Sequence, residues 1–92
     1  MLALGKGDNL TVSSGIITPT HDVHVVNGGG GDIDTINVPS PSFCGLLVLI
    51  CVSGSVGWSA SGNIARANAI NVGASAILVY NPAASKWFPV NA

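Results

Sequence analysis

Charged residues are scarce in this sequence. Lys6, Arg66 and Lys86 are the cations, Asp8, Asp22, Asp32 and Asp34 the anions, together 8% of 92 residues with a net charge of −1. A soluble domain ordinarily carries about a quarter. Three cations cannot neutralise a run of phosphates, which excludes a nucleic-acid partner. No Lys/Arg cluster exists to draw the chain to an anionic membrane. The few carboxylates form no pair suited to glycosidase chemistry, and Cys44, Cys51 and the serines have no patterned histidine partner to act as a base. The composition therefore points away from an enzyme and implies no cofactor.

Cysteine is nearly as rare. If Cys44 and Cys51 lie on one strand, seven steps of about 3.3 Å put them roughly 23 Å apart on opposite faces. An intrachain disulfide needs Cα atoms within about 7 Å. Both read as small buried hydrophobes in a reducing compartment. Helical periodicity is lacking too. The 12 glycines and 5 prolines are spread along the chain, and no stretch holds an i, i+3, i+4, i+7 apolar pattern for three turns. The alanine-rich residues 64–70, bracketed by Gly62 and Gly73, are the one candidate for a short helix.

No apolar run is long enough to span a bilayer as a helix. Residues 43–52 would reach about 15 Å against a hydrocarbon core of roughly 30 Å, and Ser53-Gly54-Ser55-Val56-Gly57 follows, which is poor helix-forming material. Met1-Leu2-Ala3-Leu4-Gly5-Lys6 has neither the basic nor the apolar region of a signal peptide. Neither a membrane partner nor a leader is expected.

What is present is strand signal. Leu10-Thr11-Val12-Ser13, Ile16-Ile17-Thr18, Val23-His24-Val25-Val26, Asp34-Thr35-Ile36-Asn37-Val38 and Val56-Gly57-Trp58 are short β-prone runs separated by turn residues. Ala76-Ile77-Leu78-Val79-Tyr80 and Lys86-Trp87-Phe88-Pro89-Val90 flank Asn81-Pro82-Ala83-Ala84-Ser85 as a hairpin, with Tyr80 stacked on Trp87 across the strands. Leu46-Leu47-Val48-Leu49-Ile50-Cys51-Val52 is apolar on both faces and must be covered on both. In a domain this small one cover is the core and the other a neighbouring subunit. These features predict an all-β fold, a small antiparallel β-sandwich of the jelly-roll kind, assembled as a homotrimer.

The remaining constellations are weak. His21 and His24, three apart on an extended segment, face opposite sides and do not chelate one ion. Gly28-Gly29-Gly30-Gly31-Asp32-Ile33-Asp34 holds a single glycine–aspartate unit of the calcium-binding kind, with Ile33 where such a unit needs aspartate. It reads as a loop and strand entry, so no metal site is expected. No lysine follows the glycines to make a phosphate cradle. Trp58 and Trp87 suit core or interface packing, with sugar stacking as the alternative.

One arrangement is familiar as a whole. Gly15-Ile16-Ile17-Thr18-Pro19-Thr20-His21-Asp22-Val23-His24-Val25-Val26 precedes Asp32-Ile33-Asp34-Thr35-Ile36-Asn37, then Gly45-Leu46-Leu47-Val48-Leu49, then Gly62-Asn63-Ile64, then the hairpin. Their order and spacing resemble a β-rich module of phage and prophage structural proteins, found in capsid decoration (cement) and tail-fibre-type proteins. The resemblance spans residues 15–90 and implies a trimeric, non-catalytic element, with no catalytic residue to carry over. Two stretches depart from the module's pattern: Gly28 to Gly31, where it is longer and acidic, and Val56-Gly57-Trp58-Ser59, where it is charged.

With the module filling nearly the whole sequence, the expectation is a capsid decoration protein of the virion surface, assembled in the host cytoplasm. It would bind the major capsid protein as a trimer and stabilise the shell. The alternative is a trimeric tail-fibre, spike or head-fibre module with glycan binding. Residues 15–92 are expected to form the trimerisation domain, with Leu47, Leu49, Cys51, Trp58 and Trp87 at the subunit interface. Residues 1–14 are expected to be a docking arm that contacts the shell through Leu2, Leu4, Leu10 and Val12.

Overall fold

The computed structural model describes residues 6–28, 31–38 and 45–90, and these contain strands and no helix. The strands are β1 (Leu10–Thr11), β2 (Ile16–Ile17), β3 (Val23–Asn27), β4 (Thr35–Ile36), β5 (Leu46–Cys51), β6 (Val56–Trp58), β7 (Asn68–Ile70), β8 (Ser75–Asn81) and β9 (Lys86–Pro89). Every run read as a strand from the sequence contributes one. The alanine-rich stretch 64–70 ends in β7 instead of a helix. Ile64 docks beside β9, where Trp87 N–H donates to the Asn63 carbonyl and Ala65 N–H to the Trp87 carbonyl, both at 2.8 Å.

The main sheet has the order β1-β3-β5-β8-β9, with the ribbons β2-β4 and β6-β7 apart from it. The pairing is mixed. Strands β1, β3 and β5 run parallel, as do β2 and β4, while β8 and β9 are antiparallel to their neighbours. The wholly antiparallel arrangement expected from the sequence is thereby corrected. Successive strands β1 to β5 alternate between the main sheet and the second ribbon, so the chain winds in coils and only its last part folds back as a hairpin. Turn residues every eight to twelve positions suit a change of layer as well as a hairpin.

The layers close over one core. Val26, Leu47, Leu49, Cys51, Ala76, Leu78, Tyr80 and Trp87 from the main sheet meet Ile17, Ile36, Val56 and Trp58 from the ribbons and Ile33 and Ile64 from the connections. The hairpin forms as expected, with Tyr80 opposite Trp87 and ring centroids 5.2 Å apart. Asn81 starts its turn by accepting the Ala83 N–H on Oδ1 at 3.0 Å, the side-chain mimic of a backbone turn that favours Asn there.

Asn63 joins the ribbon β4 to β9. Its Oδ1 accepts the Ile36 N–H at 2.9 Å and its Nδ2 donates to the Ile36 carbonyl at 2.7 Å. Trp87 Nε1 donates to the same carbonyl at 3.2 Å, filling its second lone pair. This approach requires glycine at 62, where a Cβ would collide with the Asp34 carbonyl. Gly62→Ala should therefore destabilise the fold by about 3 kcal/mol, the upper end for overpacking, read from the urea midpoint. Gly73, with open space where its Cβ would stand but a φ of +93°, should lose only about 1 kcal/mol on the same change.

Candidate functional site

The candidate residues fall into three places. Leu47 (1% exposed), Leu49, Cys51, Trp58 (4%) and Trp87 (1%) all lie inside a single chain. Their assignment to a subunit interface is corrected by this burial, because the chain's own second layer already covers them. The cysteine is a free thiol whose Sγ donates to the Gly54 carbonyl at 3.3 Å. Cys44 lies outside the described residues. Both indoles are almost wholly buried as well, so neither ring is presented for stacking on a sugar.

The proposed arm is also reassigned. Leu2 and Leu4 lie outside the described residues, but Lys6 bridges to Val23, Gly7 N–H donates to the Val23 carbonyl at 2.8 Å, and Leu10 pairs with Val26. Val12 is buried in the core and Leu10 packs against it. Residues 6–13 are thus an integral edge of the main sheet.

His24 holds that edge. It is the fully buried polar side chain of β3. Its Nε2 accepts the backbone N–H groups of Thr20 and His21, each at 3.0 Å. Two donors on one nitrogen put the ring proton on Nδ1, which donates to the Asp8 carbonyl at 2.7 Å. The ring therefore ties the N-terminal edge to the bend before β3. That bend turns His21 towards it, with ring centroids 6.0 Å apart, not onto opposite sides as an extended segment would. Gly7 lies against both rings and has no room for a Cβ.

With both nitrogens engaged, His24 is not presented as a metal ligand or a base. Among the described residues no three His, Cys, Asp or Glu side chains come together as a metal site. In the glycine–aspartate stretch Ile33 is buried, Asp32 is exposed, and the Asp34 carboxylate lies against Gly15.

The surface that stands out is the outer face of the main sheet. Registered side by side on it are Val23, Val25, Leu46, Val48, Ile50, Ile77, Val79 and Phe88. The central ones are half-buried by their neighbours, while Ile77, Val79 and Phe88 are about 40% exposed, each at the value 40%, 41% and 42%. No protein-family model matches the chain, and neither a curated protein nor a solved structure matches it. The outer face was legible in the sequence as the second apolar side of residues 46–52, although its other contributors, from β3, β8 and β9, were not.

A second feature escaped the sequence altogether. A cleft of about 330 Å3 opens between the β6-β7 ribbon and β8, lined by Trp58, Asn68, Ile70, Ser75, Ala76, Ile77 and Val90.

His24→Ala would leave Thr20 N–H, His21 N–H and the Asp8 carbonyl without their partner, each worth about 1 kcal/mol or more when buried. A loss of roughly 3 kcal/mol is expected, with faster hydrogen exchange at Gly7 and Leu10 than at the β5 and β8 amides. Uniform acceleration across the sheet would show that His24 does not pin this edge specifically.

Proposed function

We propose that this chain is a non-catalytic structural protein of a phage particle, a capsid decoration protein that self-associates as a trimer through the outer face of its main sheet. The supporting observation is that face, where apolar side chains from β3, β5, β8 and β9 lie in register, with Lys6 and Lys86 at its margins beside Val23 and Asn81. Three inter-strand spacings of about 4.8 Å and a strand of six residues give a projected area of roughly 300 Å2. Patches of ~300–600 Å2 are the largest that monomers usually leave open, and they commonly mark association sites. The order of the sequence motifs, which resembles that of phage structural modules, supplies the particle context.

Magnitudes shape the reading. Hiding the whole patch is worth at most roughly 7 kcal/mol at ~25 cal/mol per Å2. Association itself costs about 4–15 kcal/mol in lost freedom. The free trimer is thus weak and dissociates on dilution. Three copies held on a three-fold site engage together, and simultaneous contacts turn weak single affinities into firm attachment. The fibre or spike alternative, with glycan binding through Trp58 or Trp87, is disfavoured by the burial of both rings.

Val48→Lys and Ile50→Lys place a charge on the outer face without touching the core. Each should yield a folded monomer by sedimentation at concentrations where the parent chain is trimeric. Leu47→Asp and Leu49→Asp should instead unfold the chain, since they put a carboxylate into a closed interior. A concentration-independent monomer for the parent chain would end the proposal.

A further inference from the structure

Asn27 is followed by Gly28, and it is the one asparagine in the sequence that precedes a glycine. An asparagine and the residue after it can react with each other. The backbone nitrogen of the second attacks the side-chain amide carbon of the first, and a glycine has no side chain to obstruct the attack. Gly28 cannot be exchanged to remove this pairing, because a Cβ there would run into the Ser53 carbonyl and the Ser55 backbone. The fold therefore keeps a reactive dipeptide at the exposed end of β3.

The same fold holds the two reacting groups apart. Strand β3 lies between β1 and β5. The Asn27 side chain reaches towards β1, where its Nδ2 donates to Thr11 Oγ1 at 3.1 Å. Gly28 N–H is given to the other neighbour and donates to the Ser53 carbonyl, just past the end of β5, at 3.0 Å. Leaving group and nucleophile are thus both engaged, on opposite sides of the strand. Attack requires the Gly28–Ser53 bond to open first. A bond at the end of a strand, beside exposed residues, is of the kind that opens locally without global unfolding.

We propose that Asn27 is a self-modification site: the native pairing of Gly28 with Ser53 suppresses deamidation, and opening of the β3 end releases it. In the reaction the Gly28 nitrogen forms a bond to Asn27 Cγ and gives up its proton, while the Cγ–Nδ2 bond breaks and ammonia leaves. Water then opens the resulting cyclic imide at either carbonyl, giving aspartate or isoaspartate. No oxidant or reductant takes part. Isoaspartate runs the main chain through Cβ and Cγ, one carbon longer than before, which moves Gly28 off the Ser53 carbonyl while residue 27 keeps its register with Thr11. The opening is thereby made permanent in those chains. Position 27 follows Val23 and Val25 on the outer face of the sheet, so either product also sets a carboxylate at the margin of that apolar surface.

The test incubates the full chain in mildly alkaline buffer, both native and in denaturing urea. Every asparagine is followed by peptide mapping and mass spectrometry, with a fragmentation method that separates isoaspartate from aspartate. In urea Asn27 is expected to react fastest of the asparagines and to give isoaspartate among its products. In the native chain its rate should be lower by at least about tenfold, the cost of local opening. Urea added below the unfolding transition should raise that native rate in step with hydrogen exchange at the Gly28 amide, because both need the same bond opened. Equal rates at Asn27 in the native and unfolded chain would overturn the proposal. So would a native rate that does not follow Gly28 exchange, or another asparagine outpacing Asn27 in urea.

Discussion

Strand β5 carries apolar side chains on both faces, and the described residues bury only one of them completely. Leu47, Leu49 and Cys51 close the interior, while Leu46, Val48 and Ile50 lie on the far side between β3 and β8. A strand cannot turn both rows inward, because its side chains alternate with a period of two. The coiled path of β1 to β5 and the two ribbons all place cover on the inner row. What remains outside is a consequence of the same geometry, and a functional reading has to account for that uncovered row.

Much of this was legible from residues. Alternation in residues 10–13, 23–26 and 34–38 located strands, and the Asn81-Pro82 turn between Tyr80 and Trp87 located the hairpin. Pairing direction was not legible. Whether Val26 lies beside Leu10 or beside a residue across a turn depends on which layer the intervening β2 joins, and two residues of β2 hold too little pattern to tell. The interface candidates were misplaced for a related reason. Residues 46–52 look alike on both faces, so the sequence shows that two covers are needed without showing that Leu47 and Leu49 belong to the inner one.

The motifs that carry the family resemblance prove to be scaffold. Gly62 and Asn63 lock against the backbone of Asp34 and Ile36. The Pro19-Thr20-His21-Asp22 bend exists around His24, whose ring accepts two of its amides. Residues used in this way constrain the path of the chain and leave its surface free to vary. A resemblance built on them speaks to how the chain folds, and function has to be sought where these residues are absent, on the sheet face.

Polar groups in this weakly charged interior follow a consistent rule. His24 satisfies three backbone groups, Asn63 satisfies both of the Ile36 groups, and Trp87 Nε1 takes the remaining lone pair of the Ile36 carbonyl. An unpaired buried donor costs about 1–3 kcal/mol, a large share of the stability of so small a domain. The chain meets that demand elsewhere with single, well-aimed side chains, while Trp58 Nε1, among the described residues, is buried without a partner. Burying the indole ring, about 200 Å2 at ~25 cal/mol per Å2, outweighs that one unmet donor, so the core closes over Trp58 beside Ile33 and Val56 despite it.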